Sequence, residues 1–274
     1  DRLLSRGLGD VYKRQFDINK IDQRKKLVKG KAKKLNVPIV YLNMVGGQDE
    51  LVFDGGSFVV DKNGEFIYVA PQFKEDFFTF DIELEVSDNV SESSLSLNEK
   101  NIKIEPLLSS NNLNKTESMY SALELGLSDY VTKNKFEKVL VGLSGGIDSA
   151  LTATIACDAL SPENVIGVAM PSKYNPDSSL EDAKKLAKNL GIEIKEINIE
   201  DTVENFRELL GNNTDEKLGN VVDENIQSRV RGNILMALSN QLGAMVVSTG
   251  NKSEMAVGYA TLYGDLVGGF ALLK

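Results

Sequence analysis

Residues 138–150 read KVLVGLSGGIDSA, and the fold follows from how this stretch is divided. Val139-Leu140-Val141-Gly142-Leu143 is an apolar run of strand length. Ser144-Gly145-Gly146 stops it, and Ile147-Asp148-Ser149-Ala150-Leu151-Thr152-Ala153 resumes with helical spacing. A strand, two glycines and a helix let backbone N–H groups approach phosphate oxygens, with the helix N-terminus adding positive potential. The stretch lacks the lysine of the common G-x-x-x-x-G-K-[ST] loop. Ser144 and Ser149 offer hydroxyl donors. Asp148 is an anion and does not suit phosphate directly; it suits a Mg²⁺ ion that accompanies phosphates. A tight turn with an Asp cap is the plainer alternative, but turn chemistry asks for neither a buried strand before it nor a helix after it.

Downstream, the rhythm is β-α-β-α-β-α. The pattern predicts strands at 138–143, 165–170 and 193–199, and helices at 148–160, 180–190 and 202–210. Ser178-Ser179-Leu180-Glu181 reads as a capping box for the second helix. Such alternation predicts a parallel sheet with helices on both faces. A long helix follows at 225–242, then a buried strand at 244–248 with Thr249-Gly250-Asn251 at its C-terminal end. Ligands of such sheets bind at the C-terminal ends of the strands. Residues 144–149 and 249–254 both belong there.

The first half reads differently. Residues 1–15, DRLLSRGLGDVYKRQ, have basic residues without an apolar core; they are no secretory signal and are set aside as a non-native leader. Ile18, Ile21, Leu27, Val28, Ala32 and Leu35 space a lysine-rich helix over 16–35. Its charges read as a solvated face, since no aromatic residues interleave with them. A strand is predicted at 37–45, broken by Gly46-Gly47. A hairpin is predicted from 53–61 and 65–70 around Lys62-Asn63-Gly64. Residues 77–86 alternate as another strand. Residues 87–116, rich in serine, asparagine and charge, read as a linker. Tyr120, Leu123, Leu127, Tyr130 and Val131 then mark one face of a helix with Thr116 as its N-cap.

Composition narrows the function. The 274 residues suit about two domains. A net charge of −9 argues against bulk nucleic-acid or membrane-surface binding. The single cysteine, Cys157, cannot form an internal disulfide, which predicts a reducing, cytoplasmic setting. It falls mid-helix beside Ile155, Ala156 and Ala159, where it reads as core. The absence of histidine removes the commonest general base and the usual zinc ligand, so an oxygen-bound Mg²⁺ is the expected metal. No apolar stretch approaches the ~20 residues of a membrane span.

Leu143-Ser144-Gly145-Gly146-Ile147-Asp148-Ser149 resembles the pyrophosphate loop of the N-type ATP pyrophosphatases, which include NAD, GMP and asparagine synthetases. The loop alone does not choose among them. Ser248-Thr249-Gly250-Asn251-Lys252-Ser253-Glu254, Gly258-Tyr259-Ala260-Thr261-Leu262-Tyr263-Gly264-Asp265 and Gly268-Gly269-Phe270-Ala271-Leu272-Leu273-Lys274 resemble the NAD synthetase family. Glu224-Asn225-Ile226-Gln227-Ser228-Arg229-Val230-Arg231 resembles that family's substrate-binding helix. Upstream, Arg24-Lys25-Lys26-Leu27, Tyr41-Leu42-Asn43 and Val45-Gly46-Gly47-Gln48-Asp49-Glu50-Leu51-Val52-Phe53-Asp54-Gly55-Gly56-Ser57 resemble the C-terminal part of a nitrilase-type amidase domain. The two in this order are similar to the glutamine-dependent NAD synthetases.

The resemblance implies an α/β fold class: a parallel-sheet synthetase domain of the adenine nucleotide alpha hydrolase type at 117–274, incomplete at its C-terminus, after a partial nitrilase-like α/β segment at 16–86. It implies ATP-dependent amidation of nicotinic acid adenine dinucleotide by ammonia, through an adenylate, in a homo-oligomer. Ser144, Gly145, Gly146, Asp148, Ser149 and Thr249 would hold ATP. Asp148 and Glu254 would hold Mg²⁺. Asn225, Arg229, Lys252, Asp265 and Lys274 would meet the substrate, with the two lysines supplying the charge that the loop lacks. A nitrilase site needs a Glu, a Lys and a nucleophilic Cys upstream of the matched segment, so no glutaminase activity is expected of this chain. Another amidotransferase of the group, such as a GMP synthetase, or a nucleotide-binding fragment without catalysis are the competing expectations.

Overall fold

The computed structural model describes residues 14–80, 113–173, 176–211 and 220–274. By contact the chain divides into two units, the first Asp1–Gly46 with Val52–Met119, the second Gly47–Leu51 with Tyr120–Lys274.

In the first unit, helix α1 (Lys20–Leu35) buries Val28 and Ala32 against Phe58 and Val60. Asn36 closes it in the left-handed conformation (φ 55°), which asparagine tolerates. Strands β1 (Ile39–Tyr41), β4 (Phe58–Val60) and β5 (Phe66–Val69) form an antiparallel sheet in the order β1-β4-β5. The predicted β4–β5 hairpin is present. The predicted strand over 37–45 is not continuous: β1 ends at Tyr41, and β2 (Val45–Gln48) pairs separately with β3 (Leu51–Asp54). A buried polar knot interrupts it. The Asn43 N–H donates to Ser57 Oγ (3.0 Å), and its Nδ2 donates to Asp54 Oδ1 (3.0 Å). Arg24 donates to both Asp54 oxygens (2.9 and 3.2 Å). Gly55 and Gly56, at φ 60° and 59°, likewise split the strand predicted over 53–61. Residues 77–80 are not a strand; Phe78 stacks on Tyr68 instead. Residues 81–86 of that expectation, and 87–112 of the linker, lie outside the described residues.

Helix α2 (Lys115–Lys133) starts one residue before the predicted cap. Asn114, not Thr116, caps it: Asn114 Oδ1 accepts from the Glu117 N–H (2.9 Å), and Glu117 Oε2 accepts from the Asn114 N–H (2.8 Å).

The second unit holds a five-stranded sheet of β6 (Val139–Leu143), β7 (Val165–Ala169), β8 (Glu193–Glu196), β9 (Met245–Asn251) and β10 (Phe270–Leu273), ordered β10-β9-β6-β7-β8 and parallel throughout. Helices α3 (Ile147–Leu160), α4 (Asp177–Leu190), α5 (Glu200–Gly211) and α6 (Asn220–Leu242) fall where predicted, within a few residues at their starts. Alternate side chains of β6 serve opposite faces. Val139, Val141 and Leu143 join Leu127, Ile155 and Cys157; Leu140 joins Ile166, Val203 and Val230. Burial on both faces explains why the strands read as continuous apolar runs. Cys157 is core, and burial pushes its thiol up to about 11.

Two local expectations fail. The capping box at 178–181 does not form, because α4 starts at Asp177 after Pro176, which places Ser178 and Glu181 inside the helix. β10 was missed; it is short and follows two glycines, so no strand period shows. No helix among the described residues is long and apolar enough to cross a membrane.

Candidate functional site

Parallel register brings three chain segments to one edge of the sheet. Leu143 lies opposite Ala169, and Val141 opposite Val247, so 144–149, 170–173 and 249–251 all emerge at the C-terminal end. The 144–149 loop is braced by its own serines. Ser149 Oγ donates to the Gly146 carbonyl (2.9 Å), and Ser144 N–H donates to Ser149 Oγ (3.3 Å). The Gly146 N–H donates to Ser144 Oγ (3.2 Å), and the two hydroxyls are 3.1 Å apart. Ser149 is buried, so it shapes the loop from beneath, while residues 144–147 face outward. The N–H groups of the first turn of α3 have no intrahelical acceptor and remain available to an anion.

Gly145 has φ +79°, and a Cβ there would lie 2.5 Å from the Ser179 carbonyl oxygen. The phosphate-type loop is therefore backed by the first turn of α4. A cavity of ≈ 250 Å³ opens beside it, with Ser144, Thr249, Asp265 and Arg231 among its polar lining. Leu143, Met170, Leu180 and Val247 contribute apolar wall, which suits a flat heterocycle.

Asn251 joins the loop to the end of β9. Its Nδ2 donates to Asp148 Oδ2 (3.4 Å). Its Oδ1 accepts from the Glu254 N–H (2.9 Å), and its own N–H donates to Glu254 Oε2 (3.1 Å), a reciprocal cap that opens α7 (Lys252–Val257). One oxygen of each carboxylate is thus engaged. The other two, Asp148 Oδ1 and Glu254 Oε1, have no recorded protein donor among the described residues. No group of three or more His, Cys, Asp or Glu able to hold a metal occurs among those residues. Two hard carboxylates with no nitrogen or sulfur donor fit Mg²⁺, which takes few protein ligands and completes its shell with phosphate and water.

α6 carries the next group. Ser228 Oγ donates to Asp265 Oδ1 (3.0 Å), and the Thr261 N–H donates to the same oxygen (2.7 Å). Thr261 Oγ1 donates to Asn225 Oδ1 (2.9 Å), and Arg229 Nε to the Leu262 carbonyl (3.2 Å). Gly232 must be glycine-small here, since a Cβ would sit 2.9 Å from the Tyr263 and Gly264 carbonyl oxygens. Asn225, Arg229 and Asp265 are therefore gathered at one junction.

The two predicted lysines lie outside the lining of this cavity. Lys252 starts α7, and Lys274 Nζ lies 3.6 Å from Glu50 Oε2; neither lines the cavity. Arg231 does line it, and the sequence reading did not single it out. Burial lowers its guanidinium below the usual arginine value, and its Nε donates to the Met170 carbonyl (3.2 Å). The signal was the second arginine of Arg229-Val230-Arg231, four residues beyond Gln227 on one helix face.

A family model described as NAD synthase matches residues 119–274. The glutamine-dependent NAD(+) synthetase of Thermotoga maritima is 47% identical over 277 residues, covering 94% of this chain and 48% of that protein. The structure of the glutamine-dependent NAD+ synthetase from Acinetobacter baumannii in complex with ADP superposes with TM-score 0.81 at 40% identity, covering 95% of this chain and 47% of that one. The NH3-dependent NAD synthetase from Campylobacter jejuni matches with TM-score 0.51 at 33% identity, covering 57% and 65%. The chain spans about half the length of the curated relatives it matches. Loop, cavity and the α6 junction all lie within the matched region, and the chain belongs to the NAD synthase family.

Proposed function

We propose that this chain carries the amidation step of NAD synthesis. The nicotinate carboxylate of nicotinic acid adenine dinucleotide attacks the α-phosphorus of ATP; the bond to the β-phosphate oxygen breaks, giving an acyl adenylate and pyrophosphate. Ammonia attacks the activated carbonyl, AMP leaves with the C–O bond electrons, and loss of a proton gives the nicotinamide of NAD⁺. A carboxylate oxygen is a poor leaving group and AMP a good one, so the chemistry turns on charge stabilisation and alignment. Neither step asks for a histidine.

The observation that carries this reading is the link from the lysine-free 144–149 loop to the Asn251–Glu254 cap through Asp148, beside a cavity with apolar walls. In this reading Gly145, Gly146 and the first amides of α3 take the phosphates, with Ser144 and Thr249 as hydroxyl contacts and Ser149 holding the loop. Asn225, Arg229 and Asp265 position the dinucleotide. Lys252, the first residue of α7, and Lys274, just after β10, would supply the charge that the loop lacks. Asp148 and Glu254 would hold Mg²⁺, which when bound neutralises charge gathering on the departing pyrophosphate.

The rest of the reading follows the resemblance read in the sequence. Residues 16–86 are the C-terminal part of a nitrilase-type amidase domain, 87–116 a linker and 117–274 the synthetase. The whole protein is a cytoplasmic homo-oligomer in which ammonia comes from glutamine. The test is NAD⁺ and AMP formation by the purified chain with the dinucleotide, ATP, Mg²⁺ and either ammonium or glutamine. Product with ammonium and none with glutamine is expected. AMP formation with xanthylate in place of the dinucleotide would overturn the assignment. ATP binding without any AMP release would reduce the chain to a nucleotide-binding segment.

A further inference from the structure

Helix α6 presents two working faces. Asn225, Ser228, Arg229 and Gly232 meet the 261–265 segment. Asp223, Gln227 and Arg231 recur every four residues and so stack along a different face. That second face reaches the connection after β7, which is held residue by residue. The Ala169 carbonyl accepts from the Ile197 N–H (2.9 Å), the Met170 carbonyl from Arg231 Nε (3.2 Å), and the Pro171 carbonyl from the Ile199 N–H (3.1 Å). Ser172 Oγ donates to Gln227 Oε1 (3.0 Å), and the Lys173 N–H donates to Glu200 Oε2 (2.9 Å).

Gln227 is the hinge of this arrangement. Ser172 and Gln227 are both only 8% exposed. Gln227 Nε2 donates to Asp223 Oδ2 (3.0 Å), and Arg207 grips that carboxylate through Nε and Nη2 (2.6 and 3.0 Å). Arg207 also bonds Glu200 and Glu204, which both pair with Lys173. The network therefore closes on the connection from both sides. Ala169, Met170 and Pro171 are themselves wall of the ≈ 250 Å³ cavity.

Apolar packing would bury this junction at less cost, since a buried amide is favourable only when both its ends are bonded. Directional bonds add position. A wall misplaced by about 1 Å at such a site can cost ~100-fold in rate. On the proposed function above, we infer that Gln227 is a positioning residue for ATP: through Ser172 it locks the 169–171 wall to the helix that carries Asn225 and Arg229, so that nucleotide and dinucleotide are held at one spacing.

The test is affinity for α,β-methylene-ATP, measured by titration calorimetry on the chain and on Gln227→Leu, Ser172→Ala and the double variant. Each single change should weaken binding about tenfold, as for one lost buried hydrogen bond near charge. The double variant should lose little more than Gln227→Leu alone, because that change already removes the Ser172–Gln227 bond. In turnover, KM for ATP should rise while KM for the dinucleotide shifts less than about twofold, the split expected when only one substrate's wall has moved. Val203→Ala, a core truncation on α5, is the control: it should lower the melting temperature without changing nucleotide affinity. Unchanged affinity in both single variants, or an equal loss in Val203→Ala, would overturn the positioning role alone. Failure of the unsubstituted chain to bind the analogue would overturn the function reading and this inference with it.

Discussion

Gly145 shows how much one position can demand. Its φ of +79° lies where L side chains are strained, and a Cβ would come within 2.8 Å of the Ser179 Cα as well as 2.5 Å of its carbonyl oxygen. Neither neighbour is a flexible side-chain end; both are backbone of α4's first turn. Gly145→Ala must therefore displace either the loop or the helix. Nucleotide affinity should fall by at least about tenfold, since the loop acts through backbone geometry. Calorimetric titration of ATP checks this, and affinity within twofold of the parent would show that the loop does not hold the phosphates. The glycines and Asp148 of the 144–149 loop could be singled out from residue type and spacing along one strand–loop–helix stretch, and Glu254 through the family resemblance. Gln227 and Arg231 were not, because their meaning comes from Ser172 and Met170, each more than fifty positions away. Lys274 was expected to supply charge to the substrate; its Nζ lies 3.6 Å from Glu50 Oε2. Side-chain direction at a strand's end is not written in the local pattern.

At the scale of elements, helix existence was plain and helix starts were not. Ser and Thr at the right distance before an apolar stripe are equally good caps on paper, whether at 116 or at 178. The choice is made by where the chain can take the non-helical geometry of a cap. Asn114 has it, with Glu117 closing the box; Thr116 is already the second residue of the helix. Asn114→Ala should therefore destabilise the protein by about 1 kcal/mol, and Thr116→Ala by only a few tenths. Urea unfolding of the two variants measures the difference, and equal losses would return the cap to Thr116. The strand expectations failed for a different reason. At Asn43 a buried Arg24–Asp54 pair needed a partner, and satisfying it overrode the apolar run, while at Gly55-Gly56 positive φ ends the extended backbone.

At the scale of the whole molecule, the β-α alternation announced a parallel sheet but not its order. The placement of β6 between β7 and β9 depends on the return of α6 across one face, and the edge position of β10 on glycines that no period marks. The same return creates the charge cluster that sets the protein's response to acid. Arg207 beside Asp223 holds that carboxyl below its ordinary value; the Lys173 N–H does the same for Glu200, and Arg207 for Glu204. As pH falls, the unfolded chain takes up these protons first, so the stabilisation is fully present above the unfolded carboxylate values of about 4 and is lost as pH drops toward the folded ones. Arg207→Met removes the partner that Asp223 and Glu204 share. Its urea midpoint should lie below the parent's at pH 7, and the gap should narrow between about pH 5 and pH 3 as the parent loses what the variant never had. The solvent exposure of Glu204 makes its share sensitive to salt, so the gap at pH 7 should also shrink in ~1 M NaCl, with the Asp223 part surviving. A gap that stays constant from pH 7 to pH 3 would mean that Arg207 stabilises through packing of its stem between α5 and α6, and not through charge.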